Sequence, residues 1–273
     1  MRAHPRAQGV RSAPEAGPPG HRPVGLASAT VSLTVVRPGL IEISRAEGVK
    51  ESWPSCSLLE CAGFRVLVDL GHPKEDPDLL LSALRAQGLE PADISAVLFT
   101  HLHPDHIGHK ELFPDALFVF HQDERLAFYF EGDRTLRLEG SAVLELSPDT
   151  FSHPRVSEEW PALQALGQHV YVRHFPGHTP GSLAVFACIG GQVHALAGDI
   201  ILNRDCGERV TPPGSSWKPH LIPDQMRLIA ARADVVVPGH GAPFECRRSR
   251  TRERHRRVAD RGRAGPAQTE KTW

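Results

Sequence analysis

One short segment of the sequence contains four potential metal ligands. They follow directly after the apolar run 96–100, which has the composition of a buried strand, and they are His101, His103, Asp105 and His106. In extended backbone, side chains two residues apart point to the same side, so the first two histidines can bind one ion. Pro104 then imposes a turn, which lets the aspartate and the third histidine face a second ion. A pattern of this kind arises by chance in about 0.3% of chains with this composition. It therefore predicts a metal site at the end of a strand.

Three further residues have the setting of metal ligands. Each is a polar residue that follows an apolar run and lies beside a glycine, where backbone or ligand can approach closely. They are His178, Asp199 and His240. The run 193–198 is interpreted as a strand that ends at the aspartate. We predict that the fold brings these strand ends to the four-residue cluster.

The order of β-rich and helical runs along the chain indicates an α/β protein. Short β-rich runs dominate the start of the chain and helices separate strands later, which is typical of two mixed sheets packed face to face with helices outside. A hairpin through Ala62-Gly63 is predicted between the runs 57–61 and 64–70. The stretches 131–169 and 202–223 are long for plain loops in a compact domain, and long loops are often functional.

Two helices are predicted from spacing. The first covers 77–87 and ends at Gly88, and its apolar face is predicted to consist of Leu79, Leu80 and Leu84. The second covers 224–233 and leads into a last buried strand at 234–237.

The composition is that of a soluble globular protein. Of the 273 residues 40% are hydrophobic, which is enough for a sizeable core. No apolar run reaches the roughly 18 residues of a membrane span, and the start of the chain lacks the apolar segment of a secretory signal. The five cysteines are scattered without a C-x-x-C pair, which favours reduced thiols in the cytoplasm. Nothing in the sequence predicts an oligomeric state.

Charge divides the chain into a body and a tail. Residues 247–273 contain ten Lys and Arg against three Asp and Glu, which leaves 21 basic and 29 acidic residues in 1–246. We predict disorder for the Pro- and Gly-rich segment 1–30 and for the basic tail, with one domain at 31–246 between them. An acidic body does not attract a phosphate backbone, so nucleic acid could bind only through the tail.

The motifs of the chain resemble those of the metallo-β-lactamase-fold hydrolases. The likeness covers about 31–246 and rests on five segments: V-D-x-G at 68–71, T-H-x-H-x-D-H at 100–106, P-G-H-T-x-G-S at 176–182, G-D at 198–199 and P-G-H-G at 238–241. It implies a four-layer αβ/βα sandwich with the metals at one edge, between the sheets.

The resemblance also implies a division of the ligands. The first metal ion would be held by His101, His103 and His178. The second would be held by Asp105, His106 and His240. Asp199 would bridge the two ions, and Asp69 would support the site without binding metal.

The expected activity is metal-dependent hydrolysis of a small ester, lactone or thioester. Two divalent ions held close together, Zn²⁺ or alternatively Fe or Mn, lower the pKa of a shared water, and the resulting hydroxide attacks the substrate. Asp105 is expected to bind metal and also to orient or shuttle a proton, which makes it the candidate catalytic residue.

Other activities of the same fold stay open. Phosphodiesterase or ribonuclease activity is one alternative, because 113–116 and 233–244 are similar to a subgroup that includes an RNA-processing enzyme. A mononuclear iron dioxygenase would use His101, His178 and Asp199 alone, and a non-catalytic binding protein is a third possibility. The G-R-T-D-like segment of glutathione thioesterases is missing after Asp199.

Several residues have weaker signals. Substrate contacts are possible for His109, Trp217, Lys218 and His220. A surface or core position is expected for six histidines without motif support, namely His121, His153, His169, His174, His194 and, if it does not contact substrate, His220. The aromatic run 128–130 is interpreted as the buried side of a helix.

Overall fold

The computed structural model describes residues 30–44, 48–61, 63–126, 143–146 and 170–246. The terminal segments 1–29 and 247–273, the aromatic run 128–130 and most of 131–169 lie outside the described residues. Predictions about these segments therefore stay predictions.

The described residues form thirteen strands and three α-helices, connected by turns and short 3₁₀ segments. The strands are β1 Val31–Arg37, β2 Leu40–Ser44, β3 Gly48–Trp53, β4 Cys56–Cys61, β5 Phe64–Val68, β6 Ala96–Leu98, β7 Leu117–His121, β8 Val143–Leu146, β9 Val170–His174, β10 Leu183–Ile189, β11 Gln192–Leu196, β12 Val235–Val237 and β13 Phe244–Glu245. The helices are α1 Pro77–Arg85, α2 Arg204–Arg209 and α3 Ile222–Arg232. None of the helices in the described part of the chain is long and apolar enough to cross a membrane.

Two mixed sheets carry most of these strands. The first sheet has the order β1-β4-β5-β6-β7-β8, and the second has the order β13-β12-β11-β10-β9. β2 and β3 form a separate hairpin. Cys61 pairs with Phe64 across a two-residue turn in which Gly63 has a φ of +85°, so the predicted hairpin between β4 and β5 is confirmed.

The alternation of side chains along each strand separates the core into three layers. On β4, Leu59 packs between the two sheets with Val185 of β10, while its neighbour Leu58 faces outward and packs with α1. On the outer face of the second sheet, Phe186 packs with Ile229 of α3. The order is therefore helix, sheet, sheet, helix, and the predicted four-layer sandwich is confirmed.

The predicted apolar face of α1 is wrong at one position. Leu80 and Leu84 are fully buried against the first sheet, but Leu79 is 51% exposed. The buried pair is spaced by four residues and lies on one side of the helix, whereas Leu79 lies about 100° around the axis from Leu80. The helix ends at Arg85, and Gly88 follows with a φ of +73° while Leu89 N donates to Leu84 O.

Two predictions about irregular segments also need correction. The strand before Asp199 ends at Leu196, and Asp199 itself lies in a 3₁₀ turn, Gly198–Ile201, since the chain must leave the sheet to bring the carboxylate to the sheet edge. The stretch 202–223 contains α2 and a second 3₁₀ turn, Pro219–Leu221, so it is less irregular than predicted.

The two leucines of α1 provide a test of this packing. We expect Leu80→Ala to lower the free energy of unfolding by about 2–5 kcal/mol, because it leaves a cavity against the first sheet. Leu79→Ala, the matched change on the exposed side, should alter it by about 0.5 kcal/mol or less. Urea denaturation followed by circular dichroism measures both values, and equal losses would contradict the described orientation of α1.

Candidate metal centre

Seven side chains converge at one edge of the sandwich. Four follow β6 of the first sheet, and three follow β9, β11 and β12 of the second sheet. The ligand atoms of each of two neighbouring groups lie within 4.8 Å of one another: His101, His103, His178 and Asp199 in the first group, and Asp105, His106 and His240 in the second. The structure thus brings together every residue that the sequence predicted as a ligand.

The first group consists of three imidazoles and one carboxylate. Nδ1 of His103 lies 2.9 Å from Nε2 of His101 and 2.9 Å from Nε2 of His178. Nε2 of His178 lies 3.5 Å from Oδ2 of Asp199. These atoms surround one point from several directions.

The second group consists of two imidazoles and a carboxylate. Oδ2 of Asp105 lies 3.4 Å from Nε2 of His240 and 3.9 Å from Nε2 of His106. The Asp105 side chain is 26% exposed, whereas both imidazoles are almost fully buried. Asp105 therefore lies on the side of the centre that solvent reaches.

The carboxylate of Asp199 faces both groups at once. Its Oδ2 is directed to His178 in the first group. Its Oδ1 lies 3.4 Å from Nε2 of His106 and 3.4 Å from Nε2 of His240 in the second. One carboxylate that presents a separate oxygen to each group has the arrangement of a bridging ligand.

These separations fit a metal ion. With bond lengths of about 2.0–2.2 Å, neighbouring ligands of a tetrahedral site lie about 3.3–3.6 Å apart. The contacts of Asp199 with His106, His178 and His240 are 3.4–3.5 Å long. Nε2 of His106 and Oδ1 of Asp199 are buried and lack a hydrogen-bond partner in the structure. Because buried polar atoms are rarely left unsatisfied, both atoms have the burial and the spacing expected of cation ligands.

Hydrogen bonds behind the imidazoles orient four of them. Nδ1 contacts a hydroxyl or carboxylate oxygen in each case, and the pairs are His101 with Thr100 at 3.1 Å, His106 with Asp69 at 2.9 Å, His178 with Ser216 at 3.4 Å and His240 with Ser52 at 3.0 Å. An Nδ1–H that donates to such an oxygen leaves the Nε2 lone pair directed into the centre. The outer partners thus select the tautomer that can bind metal.

Asp69 is the most highly connected of these outer partners. Its Oδ1 accepts from Thr100 N at 2.8 Å, and its Oδ2 accepts from Thr100 Oγ1 at 2.7 Å as well as from His106. Its φ of +59° is unusual for a residue other than glycine. The strained turn directly after β5 therefore holds the carboxylate behind the second group, in the supporting position that the sequence analysis expected.

The electrostatics of the centre favour positive charge. Burial lowers the pKa of His106, but the carboxylates of Asp69 and Asp199 more than offset this effect and raise it well above its usual value. Burial likewise lowers the pKa of His240, and Asp199 and Asp105 raise it to about 9. Burial raises the pKa of Asp199, yet His240 and His106 hold it well below its usual value. Asp199 is thus ionised, and its carboxylate favours positive charge on the neighbouring imidazoles or on a cation bound between them.

The pKa values of the imidazoles in the first group are shifted downward instead. Burial, with neighbouring imidazoles, lowers the pKa of His101 well below its usual value and lowers the pKa of His103 to about 4. Burial also lowers the pKa of His178. These rings are therefore neutral near pH 7, which is the protonation state in which an imidazole binds metal.

Two glycines beside the ligands allow neighbouring groups to approach closely. A Cβ on Gly239 would lie 2.0 Å from Oδ1 of Asp199. Gly198 has a φ of +49°, and its Cβ would lie 2.7 Å from Thr100. The glycines beside these ligands are therefore required by close approach, as the sequence analysis expected of such positions.

A buried glutamate connects the two ligand loops, and the sequence analysis missed it. Oε2 of Glu124 accepts from Leu102 N at 2.8 Å, in the loop that follows β6. Oε1 accepts from Gly181 N at 2.7 Å and from the hydroxyl of Thr179, in the loop of His178. Its sequence surroundings resemble an ordinary polar helix start after a strand, so no pattern indicated this role.

The four candidates for substrate contact lie outside both groups of ligand atoms. His109 has a φ of +57° and belongs to neither group of ligand atoms, and burial lowers the pKa of its imidazole. Trp217 and Lys218 are exposed and hydrogen-bonded through their backbone to the His178 loop. His220 is exposed in the turn before α3.

A third group of potential ligands is poorly arranged for metal. His121, Asp123 and His174 have ligand atoms within 4.8 Å of one another. However, the two imidazoles stack at 3.7 Å with an interplanar angle of 13°. Imidazole lone pairs lie in the ring plane, so parallel rings cannot both point at one ion. His121 is buried and His174 is half-buried, which agrees with a structural role for both.

Comparisons with known proteins agree with this architecture. Residues 54–240 match the family model described as the metallo-beta-lactamase superfamily. The metallo-beta-lactamase domain-containing protein 1 of Rattus norvegicus is 31% identical over 224 residues, which cover 80% of this chain and 78% of the relative.

Two solved structures extend the comparison to the fold. A putative metallo-beta-lactamase of Thermotoga maritima has a TM-score of 0.60 at 22% identity and covers 79% of this chain and 99% of its own. An N-acyl homoserine lactone hydrolase, solved with the product N-hexanoyl-L-homoserine bound at its catalytic metal center, has a TM-score of 0.55 at 18% identity. That match covers 78% of this chain and 92% of the hydrolase.

The outer partner of His106 can be tested by Asp69→Asn. An amide at this position would donate toward Nδ1 of His106 and so favour the tautomer whose Nε2 carries the proton. We expect the affinity for Zn²⁺ to fall by about 10–100-fold, measured by competition with a chromogenic chelator. Asp76→Asn, which alters an exposed helix-capping carboxylate, is the control. Unchanged zinc affinity in Asp69→Asn would contradict the role of Asp69.

The connection through Glu124 can be tested by Glu124→Gln. One of the two acceptor oxygens becomes a donor, so a buried N–H of Leu102 or Gly181 loses its partner. We expect a destabilisation of about 1–3 kcal/mol in urea together with weaker zinc binding. Glu111→Gln, an exposed acid near the same loop, should change neither quantity. Normal stability and zinc affinity in Glu124→Gln would show that the two loops are held by other contacts.

Proposed function

The chain belongs to the metallo-beta-lactamase superfamily, and on this basis we propose that it is a hydrolase that uses two divalent cations to cleave a small ester, lactone or thioester. The observation that carries the proposal is the position of Asp199. Its two carboxylate oxygens are directed to two separate groups of imidazoles. A site for one ion would not need a carboxylate whose two oxygens face separate groups of ligands.

The ligands are proposed to divide between two neighbouring positions. His101, His103 and His178 would hold one cation. Asp105, His106 and His240 would hold the other, and Asp199 would contribute one oxygen to each. Imidazole nitrogens mixed with carboxylate oxygens suit Zn²⁺, and Fe or Mn tolerate the same set. When bound, such a pair of cations supplies Lewis acidity, which lowers the pKa of water and polarises the substrate carbonyl.

Asp105 is the residue that we propose to handle protons. It is the most exposed of the acids at the centre, so a substrate can reach it. Burial raises its pKa, but His240 and His106 more than offset this effect and lower it to about 2. It is therefore a carboxylate near neutral pH, and it can accept a proton or orient a water but cannot serve as an acid in the resting site.

The other residues of the centre are proposed to position the reaction. The imidazoles are buried, and four of them are held from behind by Thr100, Asp69, Ser216 and Ser52. A ligand set fixed in this way does not need to reorganise when charge develops on the substrate, and preorganisation of this kind is a large part of catalysis in enzymes. Asp105 alone remains open to solvent among the charged groups, which defines the side from which a substrate would enter.

A small uncharged reacting group fits this site better than a nucleic acid. Residues 1–246 carry an excess of eight acidic residues, which disfavours a phosphate backbone. The N-acyl homoserine lactone hydrolase with the same fold acts on a lactone, which supports lactones within the proposed class. The antibiotic hydrolysis of the family's namesakes is not part of the proposal, because they usually have a different residue type in the place of Asp199.

Metal analysis combined with a substrate panel tests the proposal. Inductively coupled plasma mass spectrometry should find two divalent ions per purified chain. The panel contains lactones, thioesters, aryl esters and a bis-phosphodiester, and we expect turnover of at least one of the first three. Asp199→Ala should lose at least one ion and lower kcat/KM by about 100-fold or more.

The controls separate the rival activities. Asp205→Ala removes an exposed carboxylate close in sequence and should leave both metal content and kcat/KM unchanged. A single iron per chain with oxygen uptake would contradict the hydrolase and favour the dioxygenase. Cleavage of the phosphodiester alone would contradict the proposed substrate class.

A further inference from the structure

A short segment after the bridging aspartate is hydrogen-bonded to the His178 loop. We call residues 213–218 the strap. Trp217 N donates to the backbone oxygen of His178 at 2.9 Å, and Lys218 N donates to that of Gly177 at 2.8 Å. Ser216 Oγ donates to Pro213 O at 2.8 Å and contacts Nδ1 of His178. The strap is therefore bonded directly to the loop and the ring of a proposed metal ligand.

The loop of His178, to which the strap is bonded, is itself held against α3. Gln225 of α3 donates to Pro176 O at 2.6 Å, and a Cβ on Gly177 would lie 2.9 Å from Ile222. Since the loop of His178 is pressed against the start of α3, the strap that is bonded to this loop has little freedom. The side chains at the end of the strap are thus presented from a fixed backbone.

The two side chains at the end of the strap form an exposed cationic and aromatic pair. Trp217 is 50% exposed, and Nζ of Lys218 lies 3.9 Å from the centroid of its ring. A cation at this distance is attracted by the electron-rich face of indole. Within the described part of the chain, no carboxylate lies within ion-pair distance of Nζ. The ammonium group therefore has donors available for a ligand.

The position of Trp217 distinguishes it from other exposed apolar side chains. The large hydrophobic side chains exposed in the described part of the chain are Leu79, Tyr171, Trp217 and Leu228. Tyr171 stacks on Phe186 at the second sheet, and Leu79 and Leu228 lie on the outer helices. Trp217 alone among them is bonded to a loop that carries a proposed metal ligand. Exposure of so large an aromatic beside such a site is typical of a ligand contact.

We propose that Trp217 and Lys218 bind the non-reacting end of the substrate, and that this end carries an anionic group, such as a carboxylate, on an apolar chain or ring. The apolar part would lie against the indole, and the anion would accept hydrogen bonds from Nζ of Lys218. This inference rests on the proposed hydrolase function. It adds the charge of the substrate and the residues that select it.

Pairs of substrates that differ in one remote charge test this inference. Each pair is an ester or lactone with a carboxylate far from the scissile bond and its neutral carboxamide counterpart, with the group placed on the acyl side in one pair and on the leaving-group side in another. We expect the wild-type protein to prefer the carboxylate by about tenfold in kcat/KM in at least one pair, since Lys218 is an exposed cation whose contribution solvent limits.

Two variants assign the preference to the strap. Lys218→Glu should remove or reverse the preference while metal content stays unchanged, because the backbone bond to Gly177 is kept. Trp217→Ala should raise KM for both members of the pair with little effect on kcat. Arg85→Glu, an equal change of charge at the end of α1, should leave the preference as it is.

The outcomes separate this inference from the proposed function. If Lys218→Glu retains the wild-type preference, or if the wild-type protein turns over both members equally, the role of Lys218 is wrong while the hydrolase stands. If the metal-loaded wild-type protein turns over no member of any pair, the proposed function and the inference fail together.

Discussion

The candidate centre depends on the burial of one carboxylate between two groups of imidazoles. Asp199 is only 6% exposed, and a charge in such a place is costly unless opposite charge or hydrogen-bond donors lie beside it. Here the surrounding atoms are Nε2 of His106, His178 and His240. The rest of the edge follows from this arrangement. Gly239 leaves space for the carboxylate, and Asp69 holds the imidazole of His106 in the orientation that faces it. A buried centre of this kind is suited to hold cations.

The two sheets contribute to the centre in different ways. The first sheet provides a compact run of ligands after β6, together with Asp69 after β5, while the second provides single ligands after three of its strands. Such an arrangement is sensitive to the relative position of the sheets. Glu124 helps to fix the relative position of the sheets, since its carboxylate accepts hydrogen bonds from a loop of each sheet. Apolar packing between Leu59 and Val185 sets the distance between the layers, whereas this polar contact sets the distance between the loops.

Much of this centre could be predicted from the sequence because its residues follow strands and carry distinctive chemistry. The run that ends at His106, and the glycines around His178 and His240, leave a local signal that needs no tertiary information. Apart from Asp69, whose V-D-x-G segment is distinctive, the hydrogen-bond partners leave no such signal. Ser52 lies 188 positions before His240, and Glu124 lies 57 positions before Gly181, so only the folded chain brings them together. The position of Leu79 was missed for a related reason: helical spacing shows which residues share a side, but the sheet decides how wide the buried side is.

The origin of the ligands in both sheets has a consequence for folding. Cations bound at this edge would join positions 101 and 240 of the chain, and with them the strand ends of both layers, as a set of reversible cross-links. Joining distant positions restricts the unfolded chain more strongly as the loop between them lengthens. Ligands that bind only the folded state also raise its stability in proportion to the logarithm of their concentration. If the centre binds metal as proposed, the resistance of this protein to heat and denaturant would depend on the supply of metal in its surroundings, and a chelator would act on the whole sandwich rather than on one edge of it.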